Sequence, residues 1–109
     1  MKSFRAGEIV LLKYPFTSGT QVKRRPALVL LDIGDNDLLL ARITSRPPQS
    51  KYDVEIREWR SAGLFTTSIV RTVKLVTLEK TLVERKLGKL NRADWSSVRQ
   101  MVQEIARLL

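Results

Sequence analysis

The chain contains no cysteine and no histidine. Without cysteine there are no disulfides, no thiolate chemistry and no Cys-ligated metal centre. Without histidine the usual general base near neutral pH is missing, and so is the commonest metal ligand. No apolar run approaches the length of a membrane span. The start, Met1-Lys2-Ser3-Phe4-Arg5, lacks the apolar core of a secretion signal, and a cytoplasmic location is expected by default. A glycine-rich phosphate loop is also absent, which argues against nucleotide hydrolysis. Asp35 and Asp37 are metal ligands by type only; beside Gly34 and Asn36 they read as a turn.

What the chain has in excess is positive charge. Lys and Arg total 20 against 11 Asp and Glu, a formal net charge of +9. Such a surplus points to a polyanionic partner: nucleic acid, an anionic membrane or an acidic protein. A length of 109 residues with 43% hydrophobic content suits one domain with a modest core. Burying an apolar face in a homodimer would help a core of that size.

The densest cluster of charge is Lys23-Arg24-Arg25-Pro26, and an apolar run, Ala27-Leu28-Val29-Leu30, follows at once. Proline cannot donate to a strand ladder, so Pro26 is expected where a loop becomes a strand. The three cations then hang off the loop end. Arg25 leaves a rigid element at a fixed angle, a placement suited to gripping phosphate.

Strands are predicted over residues 7–13, 27–32, 38–45, 52–56 and 68–78, the last with a bend. Gly34-Asp35-Asn36-Asp37 makes a hairpin of the second and third. Residues 59–64 allow a helical turn ending at Gly63, and residues 82–90 are mixed. Asn91 is a good N-cap, and Asp94 three residues on complements the helix dipole. Trp95, Val98, Met101, Val102, Ile105, Leu108 and Leu109 recur at three- and four-residue steps, which predicts an amphipathic helix from about Arg92 to the end. The fold class is α+β: a small bent sheet or barrel with one helix packed on it.

Several stretches taken in order resemble the MazF/PemK family of toxins. They are Gly7-Glu8-Ile9-Val10, Tyr14-Pro15-Phe16-Thr17, Lys23 to Val29, Ala41-Arg42-Ile43-Thr44-Ser45, Gly63-Leu64, Ser68-Ile69-Val70-Arg71, Lys74-Leu75 and Leu87-Gly88-Lys89-Leu90. The resemblance spans nearly the whole chain, read as one domain over residues 1–109. It implies an SH3-like β-barrel of five to six mostly antiparallel strands with a C-terminal helix, working as a homodimer. It also implies a toxin of a bacterial type II toxin–antitoxin system: a ribonuclease that cuts single-stranded RNA, often mRNA, at short sequences without a metal or other cofactor. An antitoxin with an acidic segment would block the RNA groove. The family's catalytic arginine falls on Arg25 and its threonine on Thr44. A later family arginine falls on Arg71, while the acid that follows it in some members is Val73 here.

The residues support part of that chemistry. When the 2′-hydroxyl of RNA attacks the adjacent phosphorus, negative charge grows on the phosphoryl oxygens. Arg25 can stabilise it, and Thr44 can place a hydroxyl against a phosphoryl oxygen or the 2′-OH. Arginine stays protonated and is a poor base. Lys23 and Arg24 are expected to track phosphates, with Ser45 beside Thr44. Base specificity is expected from the loops 17–22 and 46–51, which begin at Thr17 and Arg46. Of the aromatics Tyr14, Phe16, Tyr52, Trp59, Phe65 and Trp95, Trp95 reads as core on the helix face; Tyr52 or Trp59 could stack on a base, with core packing the first reading of each. Two other readings stay open: a non-catalytic toxin that binds DNA gyrase, as in the related CcdB fold, and a basic RNA-binding module without catalysis.

Overall fold

The computed structural model describes residues 2–14 and 23–109. Six strands form one antiparallel sheet: β1 (Glu8–Tyr14), β2 (Lys23–Leu31), β3 (Asp37–Thr44), β4 (Asp53–Ile56), β5 (Ser68–Glu79) and β6 (Val83–Lys89). Their spatial order is β4-β5-β3-β2-β1-β6. A 3-10 turn, Lys80–Leu82, joins β5 to β6, and α1 (Arg92–Arg107) closes the chain.

Side chains alternate across a strand, and here both faces are buried. Ile9, Leu28, Ala41, Ile43, Val54, Ile56 and Val70 form one cluster, covered by Val98, Trp95, Met101 and Val102 of α1. Val10, Leu12, Ala27, Val29, Leu38, Leu40 and Leu78 form a second cluster, joined by Phe4 from the N-terminal segment. Burial on both faces explains why β1 and β2 read as continuous apolar runs. Each large side chain among them contributes roughly 1.5–3 kcal/mol by leaving water.

Five expected strands are present, and β6 is a sixth where the sequence reads as mixed. Val83, Arg85 and Leu87 alternate there with Glu84 and Lys86, and the strand pairs with β1 through two register shifts. The edges, β4 and β6, share no ladder among the described residues. The sheet is therefore open, and strand pairing does not close it into the expected barrel. A backbone contact joins the turn region after β4 to β6 instead. Gly63, at φ 90°, sits so close to β6 that a Cβ there would lie 2.1 Å from the Leu87 carbonyl oxygen.

Two boundaries differ from expectation. β2 starts at Lys23, so Lys23, Arg24 and Arg25 lie on the strand and pair with Tyr14, Lys13 and Leu12 of β1. The reason is one-sided pairing. The ladder from β2 to β3 begins only at Ala27, opposite Arg42, and Pro26 stands where it would continue. The helix ends at Arg107, and Leu108 and Leu109 are exposed rather than part of its apolar stripe. That stripe packs on the sheet through Trp95, Val98, Met101 and Val102, and the last two leucines lie beyond it.

The predicted bend in β5 is a bulge. Ala41 pairs with Leu75 but Arg42 with Arg71, leaving Thr72–Lys74 without partners on β3. Thr72 is buried and donates its hydroxyl to the Tyr52 carbonyl at 2.6 Å. Asn91 caps α1 as expected, its Oδ1 accepting from the Asp94 N–H at 2.8 Å. Asp94 also accepts from the Arg57 and Glu58 N–H groups, so the helix start holds the chain leaving β4.

Candidate functional site

The site follows from the place where β2 and β3 stop pairing. Beyond Ala27 and Arg42 the two strands diverge, and a cavity of about 310 Å³ opens between Arg25 and Pro26 on one side and Ile43 and Thr44 on the other. Leu11, Leu64 and Leu87 give it apolar walls. Ser45 and Arg46 line it just after β3. Four of the expected site residues, Arg25, Thr44, Ser45 and Arg46, thus meet in one space.

The Thr44 hydroxyl is already oriented. Its oxygen accepts from the Arg46 N–H at 3.2 Å, which leaves the hydroxyl proton free to donate. Arg25 is exposed and reaches the cavity from a strand rather than a loop, so its backbone is held by the β1 ladder. Arg42, Arg46 and Arg85 also line the space. No described residue lining it is a carboxylate. Four guanidiniums with no carboxylate among the described lining residues make a site that attracts phosphate groups.

The other expected residues lie elsewhere. Arg24 is directed to Glu84, its Nε donating to both carboxylate oxygens at 3.0 and 2.9 Å. Lys23 is exposed at the start of β2 and does not line the cavity. Arg71 does not line it either. It pairs with Arg42 on one side and Asp53 on the other, and its buried Nε has no hydrogen-bond partner among the described residues. Val73 sits in the β5 bulge, half-exposed and outside the cavity. Thr17 lies outside the described residues.

Trp59 packs against the helix-side core with Arg60 over its ring at 4.6 Å. Tyr52 is half-buried beside Lys51, and neither ring lines the cavity. Phe65 is 88% exposed and lines the cavity. Arg42, Arg85 and Phe65 are among the lining residues that sequence reasoning missed. For Arg85 a signal existed in the alternation from Val83 to Leu87; for Phe65 the sequence carries none.

Two acidic features have structural roles. Asp35 Oδ1 accepts from the Asp37 N–H at 3.0 Å, which is turn geometry. Asp32 ties together three segments: its carboxylate meets Lys80 at 2.9 Å and accepts from the Phe4 and Gly34 N–H groups at 2.8 Å each. Lys80 first, then those two N–H groups, lower its pKa from 3.8 to about 2. No group of three or more His, Cys, Asp or Glu among the described residues could hold a metal ion. No helix among them is long and apolar enough to cross a membrane.

Residues 5–106 match the family described as "PemK-like, MazF-like toxin of type II toxin-antitoxin system". The chain belongs to this toxin family. No curated protein matches by sequence. Among solved structures, an endoribonuclease in complex with its cognate antitoxin from a mycobacterial species superposes with a TM-score of 0.80 at 16% identity, over 98% of each chain. The Mycobacterium tuberculosis toxin MazF-mt6 gives 0.75 at 17% identity, covering 92% of this chain and 96% of its own. MazF from Deinococcus radiodurans gives 0.72 at 22% identity, over 94% of each chain. At these identities the likeness is one of fold, a MazF-like sheet with a C-terminal helix. Within this MazF-like frame the arginine-lined cavity is a feature of the chain's own residues.

Proposed function

We propose that this toxin is a metal-independent endoribonuclease that cuts single-stranded RNA, mRNA among it, at particular sequences and so inhibits translation and growth. The observation that carries this reading is the meeting of Arg25 and Thr44 in one cavity whose described lining holds four arginines and no carboxylate. The RNA supplies its own nucleophile. The 2′-oxygen bonds to the adjacent phosphorus while the bond to the 5′-oxygen breaks. The products are a 2′,3′-cyclic phosphate and a 5′-hydroxyl, the 2′-OH proton replacing the bond lost at the leaving oxygen.

Arg25 faces the charge that grows on the phosphoryl oxygens, the position where preorganised donors contribute most. Thr44 donates its free hydroxyl proton to the same group. Arg42, Arg46 and Arg85 neutralise the flanking phosphates. Arg71 acts from behind Arg42, its strand neighbour, rather than on the substrate. Lys23 and, when released from Glu84, Arg24 extend the basic track along β2. Thr17 and Arg46 contribute to reading the bases.

The same reading assigns the toxin an acidic antitoxin that competes for the arginine-lined cavity, a homodimeric state and a cytoplasmic site of action. The mycobacterial endoribonuclease bound to its cognate antitoxin, and the MazE–MazF complex of Deinococcus radiodurans, support the antitoxin partner. Incubating purified protein with mixed single-stranded RNA in EDTA, beside folded Arg25→Ala protein, tests the proposal. Cleavage that needs Arg25 and leaves a cyclic phosphate end supports it. Tight, salt-sensitive binding without cleavage selects the non-catalytic RNA-binding module. Growth arrest rescued by a resistant gyrase selects the gyrase-binding alternative.

A further inference from the structure

We infer that Phe65 is a stacking platform, against which an unpaired nucleobase next to the phosphate at Arg25 packs. This rests on the RNA reading above and names how the cavity selects single strands. A phenylalanine left 88% exposed forfeits the burial that normally accounts for its presence. Here it borders the cavity that holds Arg25, Arg46 and Arg85.

The ring is offered by a pinned segment. Leu64, immediately before it, is buried and donates its N–H to the Trp59 carbonyl at 3.0 Å. One residue earlier, Gly63 is pressed against the Leu87 carbonyl of β6. After it, Ser68 donates its hydroxyl to the Thr66 carbonyl at 2.9 Å. Both flanks of Phe65 are therefore fixed to the sheet while its side chain is left in solvent. A fixed aromatic face beside a cationic track is the combination that binds single-stranded nucleic acid: cations follow the phosphates and the ring takes a base. An acidic peptide would use the arginines equally well, but it has no requirement for a π face. Bases in a duplex are already stacked and cannot pack on the ring without being splayed out, so the platform favours single strands.

The test is binding of a 2′-deoxy single-stranded oligonucleotide, which lacks the attacking hydroxyl and is not cut. Phe65→Ala and Phe65→Leu are expected to weaken binding about 5- to 100-fold, the range that base–aromatic stacking spans. Phe65→Tyr and Phe65→Trp are expected to bind like the parent. The Phe65→Trp emission should also be quenched on binding, beyond any change from Trp59 and Trp95 in the parent. Far-UV circular dichroism and melting curves confirm that each variant is folded, as an exposed position predicts. Equal affinity for Phe65→Ala and the parent overturns the inference, and so does a leucine variant that binds as well as the tyrosine one. Unchanged oligonucleotide binding with weakened binding of an acidic antitoxin also overturns it, assigning the ring to a protein interface. RNA cleavage by the parent is assayed in parallel. Stacking without cleavage leaves this inference standing and removes the nuclease reading; cleavage indifferent to Phe65 does the reverse.

Discussion

Arg25 on β2 and Thr44 on β3 occupy positions that the β2–β3 register would set opposite each other, two steps beyond the last formed pair, Ala27 with Arg42. They are not paired, because the ladder ends at Pro26. Paired strands would lie roughly 5 Å apart and leave no room for a substrate between them. The interruption converts two register partners into facing walls of the cavity, with Arg42, Arg46 and Arg85 around them. The proposed chemistry depends on this break in the sheet as much as on the side chains beside it.

Arg25→Ala is expected to lower the RNA cleavage rate by about 10²- to 10³-fold, the usual effect of deleting a preorganised donor to developing charge. Arg25→Lys should recover only part of it, since an ammonium cannot present a planar fork to two phosphoryl oxygens. Both variants should melt close to the parent, because Arg25 is exposed. Single-turnover rates beside thermal melts check this; a large fall in melting temperature would make the rate loss structural.

Pro26→Val restores an N–H at the point where the β2–β3 ladder stops. The expected outcome is an extended ladder, a narrower cavity and cleavage reduced at least tenfold, with stability unchanged or raised by roughly 0.5–1 kcal/mol per added hydrogen bond. Amide exchange at residue 26 reads the new bond directly. An unprotected amide and full activity would show that the proline does not set the cavity width.

The cleavage rate should vary weakly between about pH 6 and 8. The chain has no histidine to titrate there, and no carboxylate is among the described residues lining the cavity. A pH–rate profile showing a steep step centred near pH 6.5 would contradict the assignment of roles at this site.

Gly63→Ala should destabilise the fold by more than about 3 kcal/mol, because it combines positive φ with a collision against backbone. Its new Cβ would fall 2.1 Å from the Leu87 carbonyl oxygen, and neither side is a flexible side chain. Gly34→Ala is the control. Gly34 also has positive φ, at 92°, but a Cβ there meets nothing within 4 Å, so only about 1–2 kcal/mol should be lost. Chemical denaturation of the two variants gives the comparison; equal losses would mean that the approach to β6 carries no weight.

Asp32 sets a pH dependence of stability through its contacts with Lys80, Phe4 and Gly34. Its pKa is lowered in the fold from 3.8 to about 2, so the folded state favours the anion. The resulting stabilisation is complete above about pH 4 and is lost as the pH falls towards 2. Asp32→Asn should therefore melt below the parent at pH 7, and the difference should shrink between pH 4 and 2. Melting temperatures across that range check the sign; a constant difference would assign the effect to packing rather than charge.

Much of the frame is legible in the sequence. Branched apolar runs located β1, β3 and most of β2, alternation at Tyr52, Val54 and Ile56 located β4, and the Asn91–Asp94 cap with its apolar stripe located α1 to within two residues. β6 was obscured because its strand face is half charged, with only Val83 and Leu87 to mark it. Within the site, Arg25 and Thr44 stood out through Pro26 and the order of family motifs. Arg42 and Phe65 did not, because an arginine on a strand and a phenylalanine after a leucine carry no local mark of what lies opposite them, and Arg85 was marked only by the weak alternation of β6.

The amino-acid sequence alone determined the charge surplus, the absence of imidazole and thiol chemistry, and the elements whose apolar spacing is local. Those properties belong to composition and to neighbours along the chain. Only the tertiary structure decided that β2 and β3 part at Pro26, that β6 brings Arg85 to the cavity, and that Arg24 is held by Glu84 while Arg25 is left facing the opening. Each of these depends on strands that meet across long stretches of chain, where pairing register and the missing proline N–H, rather than residue type, set which side chains share a space.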